Sequence, residues 1–284
     1  MWQRTTIGAL LSLCAAHAAF GFACIKSSPT DGSQPQCIHW DQHAATVDSF
    51  LGVPSNPPLA NGTVTWDQNV MGAANDWNSS GADFHFNVTV GGQFINPCGA
   101  AGGVHTCTNT GPIGNNPVLF ADTFCGQGFG DILELVNDCW VQNTAKILNA
   151  PVFVNSTVSW NAYNGALFPG GQPVYDIRRV LLHELGHVAG LDHPDEQGQN
   201  VAAIMNSRVS NLFQLQPDDI SGMISIYSGG SQPPPSDGSS PGPSSGCQVD
   251  AAPRQRPGWG AVLPAMVAAL LLGRRRRSRA SATR

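Results

Sequence analysis

Positive charge is scarce over most of this chain. Between residues 20 and 228 it has only Lys26, Lys146, Arg178, Arg179 and Arg208, against 17 aspartates and glutamates. A segment that acidic lacks the electrostatic footprint of a nucleic-acid binder, so no such partner is expected. Long apolar runs are missing too. The best candidates, Ile7 to about Ala16 and Gly258–Gly273, fall short of the ~20 residues of a membrane span, and Pro264 interrupts the second. No CxxC pair occurs in the same 20–228 stretch, which argues against a zinc site built on cysteine.

The two ends read differently from the middle. Residues 1–20, MWQRTTIGALLSLCAAHAAF, place an early Arg4 before a short apolar run and then small residues. That is the layout of a secretory signal peptide, with cleavage expected after Ala18 or Ala23. From Gly229 the sequence turns to GGSQPPPSDGSSPGPSSG, a linker with nothing apolar to bury beyond proline. The expected organisation is a signal at 1–20, one domain at 21–228, a linker at 229–246 and a C-terminal segment at 247–284. A domain of that size can bury a sizeable core.

Cysteine usage agrees with export. Of eight cysteines, Cys14 lies in the signal and Cys247 beyond the linker, which leaves Cys24, Cys37, Cys98, Cys107, Cys125 and Cys139. In an oxidising compartment these six predict three disulfides. Nearest neighbours would pair as 24–37, 98–107 and 125–139, one among the connectivities that six cysteines allow.

Periodicity gives a coarse order of elements. TVTWDQNVMGAANDWNS (63–79) starts as a strand and turns helical, with Val70, Ala73, Ala74 and Trp77 at helical spacing and Asp67 as a start signal. ADFHFNVTV (82–90) alternates as a half-buried strand. Residues 95–117 read as a Gly/Asn/Pro loop tied by a disulfide. GDILELVNDCWVQ (130–142) fits strand or helix, with strand favoured in its later half. ILNAPVFVNSTVSW (147–160) reads as a strand entering a turn. YDIRRVLLHELGHVAG (175–190) has apolar residues at 177, 180, 181, 185 and 188, an amphipathic helix ended by Gly190. PDDISGMISIYSG (217–229) predicts a shorter helix from an Asp cap, with Ile220, Met223, Ile224 and Tyr227 inward. Strands first, then a central helix and a final helix make the class α+β.

The chemistry concentrates in HELGHVAGLDH, residues 183–193. On a helix, residues i and i+4 share a face, so His183 and His187 can address one metal ion. Glu184 stands beside the first ligand without ligating. Gly190 can adopt positive φ and turn the chain, bringing His193 back as a third ligand. Three nitrogens leave a fourth position open, the catalytic arrangement of zinc. There, Glu184 would take a proton from the attacking water and pass it to the leaving amine. At this chain's own residue frequencies, five fixed positions match by chance on the order of 10⁻⁵, so accident is a poor explanation.

HExxHxxGxxH at His183, Glu184, His187, Gly190 and His193 resembles the metzincin clan of zinc peptidases. The resemblance implies a methionine turn beneath the zinc, which AIMNS (203–207) supplies with Met205 as a hydrophobic floor. Pro194 after the third histidine looks like the serralysins. Serralysins and astacins, however, carry a tyrosine two residues after the turn methionine, where this chain has Ser207. LQPDDISGMISIYSG, with Asp218 and Asp219, is similar to the closing helix of the matrixins, although matrixins usually have Ser where Pro194 stands. The chain most resembles bacterial matrixin-like peptidases. The implied fold is a twisted mixed five-stranded sheet over an active-site helix, with the Met-turn and a C-terminal helix. Its cleft would run along an edge strand, here 132–142, to which a protein or peptide substrate adds as an extended antiparallel strand.

Family-like structural calcium or zinc has no matching ligand cluster, and His85 and His105 read as ordinary strand and loop residues. The stretch after the signal shows no cysteine-switch motif and no room for a propeptide domain. A monomer is expected. After the linker, Cys247, an apolar segment and Arg274–Arg277 resemble the MYXO-CTERM bacterial sorting tails, which implies surface delivery with Cys247 as a lipidation point. A retained membrane anchor is the other reading. Either way membrane contact is confined to the tail, and the site is the cell surface, outer membrane or medium. A metzincin scaffold used only for envelope binding is the alternative to the peptidase.

Overall fold

The computed structural model describes residues 22–98 and 116–228 together with the backbone of 246–248. Its centre is one mixed sheet. In chain order the elements are β1 (Ala44–Ser49), α1 (Asp67–Asn78), β2 (His85–Val90), β3 (Pro117–Ala121), β4 (Ile132–Val136), β5 (Val152–Asn155), α2 (Ile177–Val188), α3 (Pro217–Tyr227) and β6 (Gly246–Gln248). The sheet runs β2–β1–β3–β5–β4, with β6 added outside β4. The first three pairings are parallel, and β4 lies antiparallel to β5. Residues 44–155 therefore supply the five mixed strands that were expected, and the sixth comes from residues 246–248.

Parallel strands bury both faces, so they read as continuous apolar runs rather than alternations. VFVN of β5 is buried at all four positions. On α1 the stripe Val70, Ala73, Ala74 and Trp77 is at most 1% exposed, and Trp77 Nε1 donates to the Leu182 carbonyl at 2.8 Å. That bond fastens α1 to α2 at mid-helix. Almost every residue of α2 is buried. An isolated 12-residue helix is marginal in water, so α2 owes its stability to this packing.

Several expectations need correction. Residues 63–66 form no strand, and Asp67 does not cap α1 by a side-chain bond. Its carboxylate instead accepts Ser49 Oγ at 2.5 Å and the amides of Leu51 and Gly52 at 3.2 Å, pinning the chain that leaves β1. The cap of α3 is Gln216, with Asp219 answering from the third position and Pro217 first, and Ile224 is 37% exposed rather than inward. The expected edge strand 132–142 breaks into β4 and a separate hairpin, Cys139–Val141 with Lys146–Asn149. In that hairpin Ala145 takes positive φ.

Cys24 pairs with Cys37 as expected. The 98–107 and 125–139 pairings are not formed: Cys98 bonds Cys125, with Cα atoms 5.1 Å apart, and Cys139 is disulfide-bonded elsewhere. Sequence proximity misled because Cys98 packs into the cluster of Cys125, Phe129, Leu135 and Phe153 on the sheet. Cys107 and His105 lie outside the described residues, as do the signal segment, the linker and the tail after Gln248. Among the described residues no helix is long and apolar enough to cross a membrane.

Candidate metal centre

Asp176 opens α2, accepting the Arg178 amide at 3.2 Å in a side-chain cap. The other end finishes sharply. Gly190 has φ +97° and donates its amide to the His187 carbonyl at 2.7 Å. A Cβ there would lie 2.3 Å from the Ile38 carbonyl oxygen, so both conformation and space demand glycine. The carbonyls left over at this helix end are all taken. Trp40 Nε1 donates to Val188 at 2.7 Å, the Tyr227 hydroxyl to Ala189 at 2.8 Å and the Ile25 amide to Gly190 at 3.0 Å.

The turn returns His193 to the two helix histidines. The three Nε2 atoms form a near-equilateral triangle with sides of 2.9, 3.0 and 3.1 Å. Each Nδ1 points away to an acceptor: His183 to the Ile204 carbonyl and His187 to the Leu191 carbonyl, both at 2.8 Å, and His193 to Glu196 at 3.2 Å. With the proton on Nδ1, each Nε2 presents a bare lone pair to the other two. Three lone pairs that close repel one another unless a cation lies among them. A point at the zinc–imidazole distance of about 2.0–2.1 Å from all three sits about 1 Å off their plane, so the donors fit that metal. Burial, with His193 next to it, lowers His183 to about 3. Burial and the two neighbouring imidazoles hold His187 well below its ordinary range. Both rings are thus neutral at pH 7, the ligating form. Among the described residues this is the one cluster with metal-binding geometry, while His85 stands exposed on β2.

Glu184 is fully buried on the same helix turn. Across from it on β4 lies a glutamate that sequence reading passed over. Glu134 is fully buried, and neither carboxyl oxygen has a hydrogen-bond partner among the described residues. Burial first, then the negative charges of Glu184 and Asp176, push its pKa well above the usual carboxylate range. Burial thus favours the protonated form of Glu134. Its sequence signal was a lone acid inside the apolar ILELV.

Met205 packs against α2 at Gly186. A Cβ on Gly186 would lie 2.2 Å from its sulfur, so any larger residue there would make the methionine shift. Asp219 fixes this turn from α3, accepting the amides of Ile204 at 2.9 Å and Met205 at 3.1 Å. Ser207, where the serralysin-like pattern would have tyrosine, donates amide and hydroxyl to Asp195 at 2.8 and 2.7 Å. Burial works to raise Asp195, but those bonds and His193 together hold it low.

Beside His183 opens a small pocket lined by Arg179, Ile204, Val209 and Leu212 among others. Arg179, 2% exposed, donates to the carbonyls of Ser210 at 2.5 Å and Gly165 at 2.7 Å. Its Nε faces Asp176 at 3.5 Å. Sequence reading had no handle on this arginine, since its neighbours come from distant loops.

Fold and site together define an α+β domain that presents a buried three-histidine metal cradle. The profile of the matrixin family of peptidases matches residues 61–228. The chain belongs to that family, a family of zinc metallopeptidases. Among solved structures, a chain of the GM1-bound form of the ECX AB5 holotoxin is similar at 15% identity and a TM-score of 0.34, over 64% of this chain and 79% of that one. A likeness that slight carries no argument about fold or activity.

Proposed function

We propose that the protein is an exported zinc metalloendopeptidase displayed at a bacterial cell surface, with residues 21–228 as its catalytic domain. The convergence of the His183, His187 and His193 Nε2 atoms within 3.1 Å carries this reading. Those three imidazoles would hold the metal. A zinc ion so bound acts as a Lewis acid, polarising the scissile carbonyl and acidifying water.

The remaining work falls to the chain. Glu184 accepts the proton of the attacking water and returns it to the leaving amine. The tendency of Glu134 to hold its proton limits the negative charge next to Glu184, the base. An extended peptide pairs with the outer edge of β4, whose backbone runs beside α2. The side chain following the scissile bond enters the pocket walled by Ile204, Val209 and Leu212. Export rests on the signal-like residues 1–20 and agrees with the Cys24–Cys37 and Cys98–Cys125 disulfides. Surface display rests on the tail after residue 246, where Cys247 is the proposed lipid attachment point.

The test is metal analysis with a gelatin or peptide-library cleavage assay on wild type and Glu184→Ala. One zinc per chain in both, with cleavage reduced by roughly 10³-fold or more in the variant, is expected. Full cleavage by Glu184→Ala refutes the mechanism. A zinc-loaded wild type that cleaves nothing favours a binding scaffold.

A further inference from the structure

We infer that the chain's own segment Gly246–Gln248 occupies the substrate edge of the cleft and holds the enzyme back as an intramolecular competitor. This rests on the peptidase reading above. The segment forms β6, antiparallel to β4, with Gly246 opposite Leu135, Cys247 opposite Glu134 and Gln248 opposite Ile132. β6 also comes against α2, the helix that carries His183, Glu184 and His187. Its partner strand includes Glu134, which lies near enough to Glu184 for the two charges to interact.

A sheet edge offers a single row of backbone donors and acceptors, and strands that share it sit about 4.8 Å apart. An incoming peptide therefore has to displace β6 before it can pair with β4. Residues 229–245 supply the tether: 17 residues span up to ~55 Å when extended. A covalent tether of that length makes the pairing intramolecular, with an effective concentration on the order of millimolar.

The contact is built to be reversible. β6 is three residues long, and its register shifts between Cys247 and Gln248. A longer peptide pairs over more of the β4 edge than a three-residue strand can. Removing the segment, by cutting the linker or drawing the tail away, frees the edge altogether.

The test uses the full-length chain with Gly246, Cys247 and Gln248 all changed to proline, which deletes the three backbone donors of β6. Three quantities are read: amide exchange of residues 132–136, affinity of the zinc-loaded protein for a fluorescent hydroxamate-capped peptide, and cleavage of a quenched unstructured peptide. The expected result is lost protection along β4, with affinity and cleavage each rising on the order of tenfold. Unchanged protection means the segment is not seated there and overturns the inference. Lost protection with unchanged peptide affinity overturns it too, because the seat then blocks nothing. If neither protein cleaves any peptide, the peptidase reading fails alone, and exchange and hydroxamate affinity still decide whether β6 guards the edge.

Discussion

Asp219 is tied to His183 through one intervening residue. Its Oδ2 accepts the Ile204 amide at 2.9 Å, and the Ile204 carbonyl accepts from His183 Nδ1 at 2.8 Å. The first turn of α3 thus sets both the tautomer and the aim of a ligand on α2. Asp219→Ala would strand the buried amides of Ile204 and Met205 and the amide of Gln216, which Asp219 accepts at 2.7 Å. We predict a loss of about 3 kcal/mol in urea unfolding and a zinc affinity lower by roughly 10- to 100-fold in chelator competition. Unaltered zinc affinity would show that the relay does not orient His183.

Gly190→Ala faces two penalties at once, positive φ and the oxygen of Ile38. Destabilisation of about 2 kcal/mol or more is expected. Because the turn delivers His193, zinc stoichiometry measured by atomic absorption should fall below one per chain.

Glu134→Gln separates burial from charge. The wild-type group keeps, in the folded state, a proton that the unfolded chain releases above its ordinary value near 4.5. The folded state therefore binds more protons over that range, and this contribution to stability shrinks as pH rises. Glutamine has the same shape and nothing to release. The variant should melt higher than wild type at pH 8, with the difference closing towards pH 4.5. A melting point that tracks wild type at every pH would contradict a raised Glu134.

Arg179→Ala removes the cation facing Asp176 and both bonds that hold the pocket wall. Breaking such a buried pair costs about 3–5 kcal/mol. Beyond that loss, the slack at Ser210 should broaden the residues accepted next to the scissile bond in a peptide library.

Local spacing carried the site's centre. His183, His187, Gly190 and His193 were legible because helix geometry and one glycine turn fix them within 11 residues. The helices at 177–188 and 217–227 were legible from their apolar stripes. What escaped reading depends on which loops meet. Glu134 becomes remarkable only once β4 lies over α2, and Arg179 only once the segments of Gly165 and Ser210 close around it. The Cys98–Cys125 bond likewise follows from the packing around Phe129 and Phe153 rather than from spacing.

The closed end of α2 bears on how the enzyme comes into being. Val188, Ala189 and Gly190 are capped by Trp40, Tyr227 and Ile25, groups drawn from opposite ends of the domain. A chain ending at residue 193 would have every ligand, but the Ala189 carbonyl would lack Tyr227 and His183 would lack the Ile204–Asp219 relay that aims it. The three imidazoles thus depend for their alignment on the last helix of the domain.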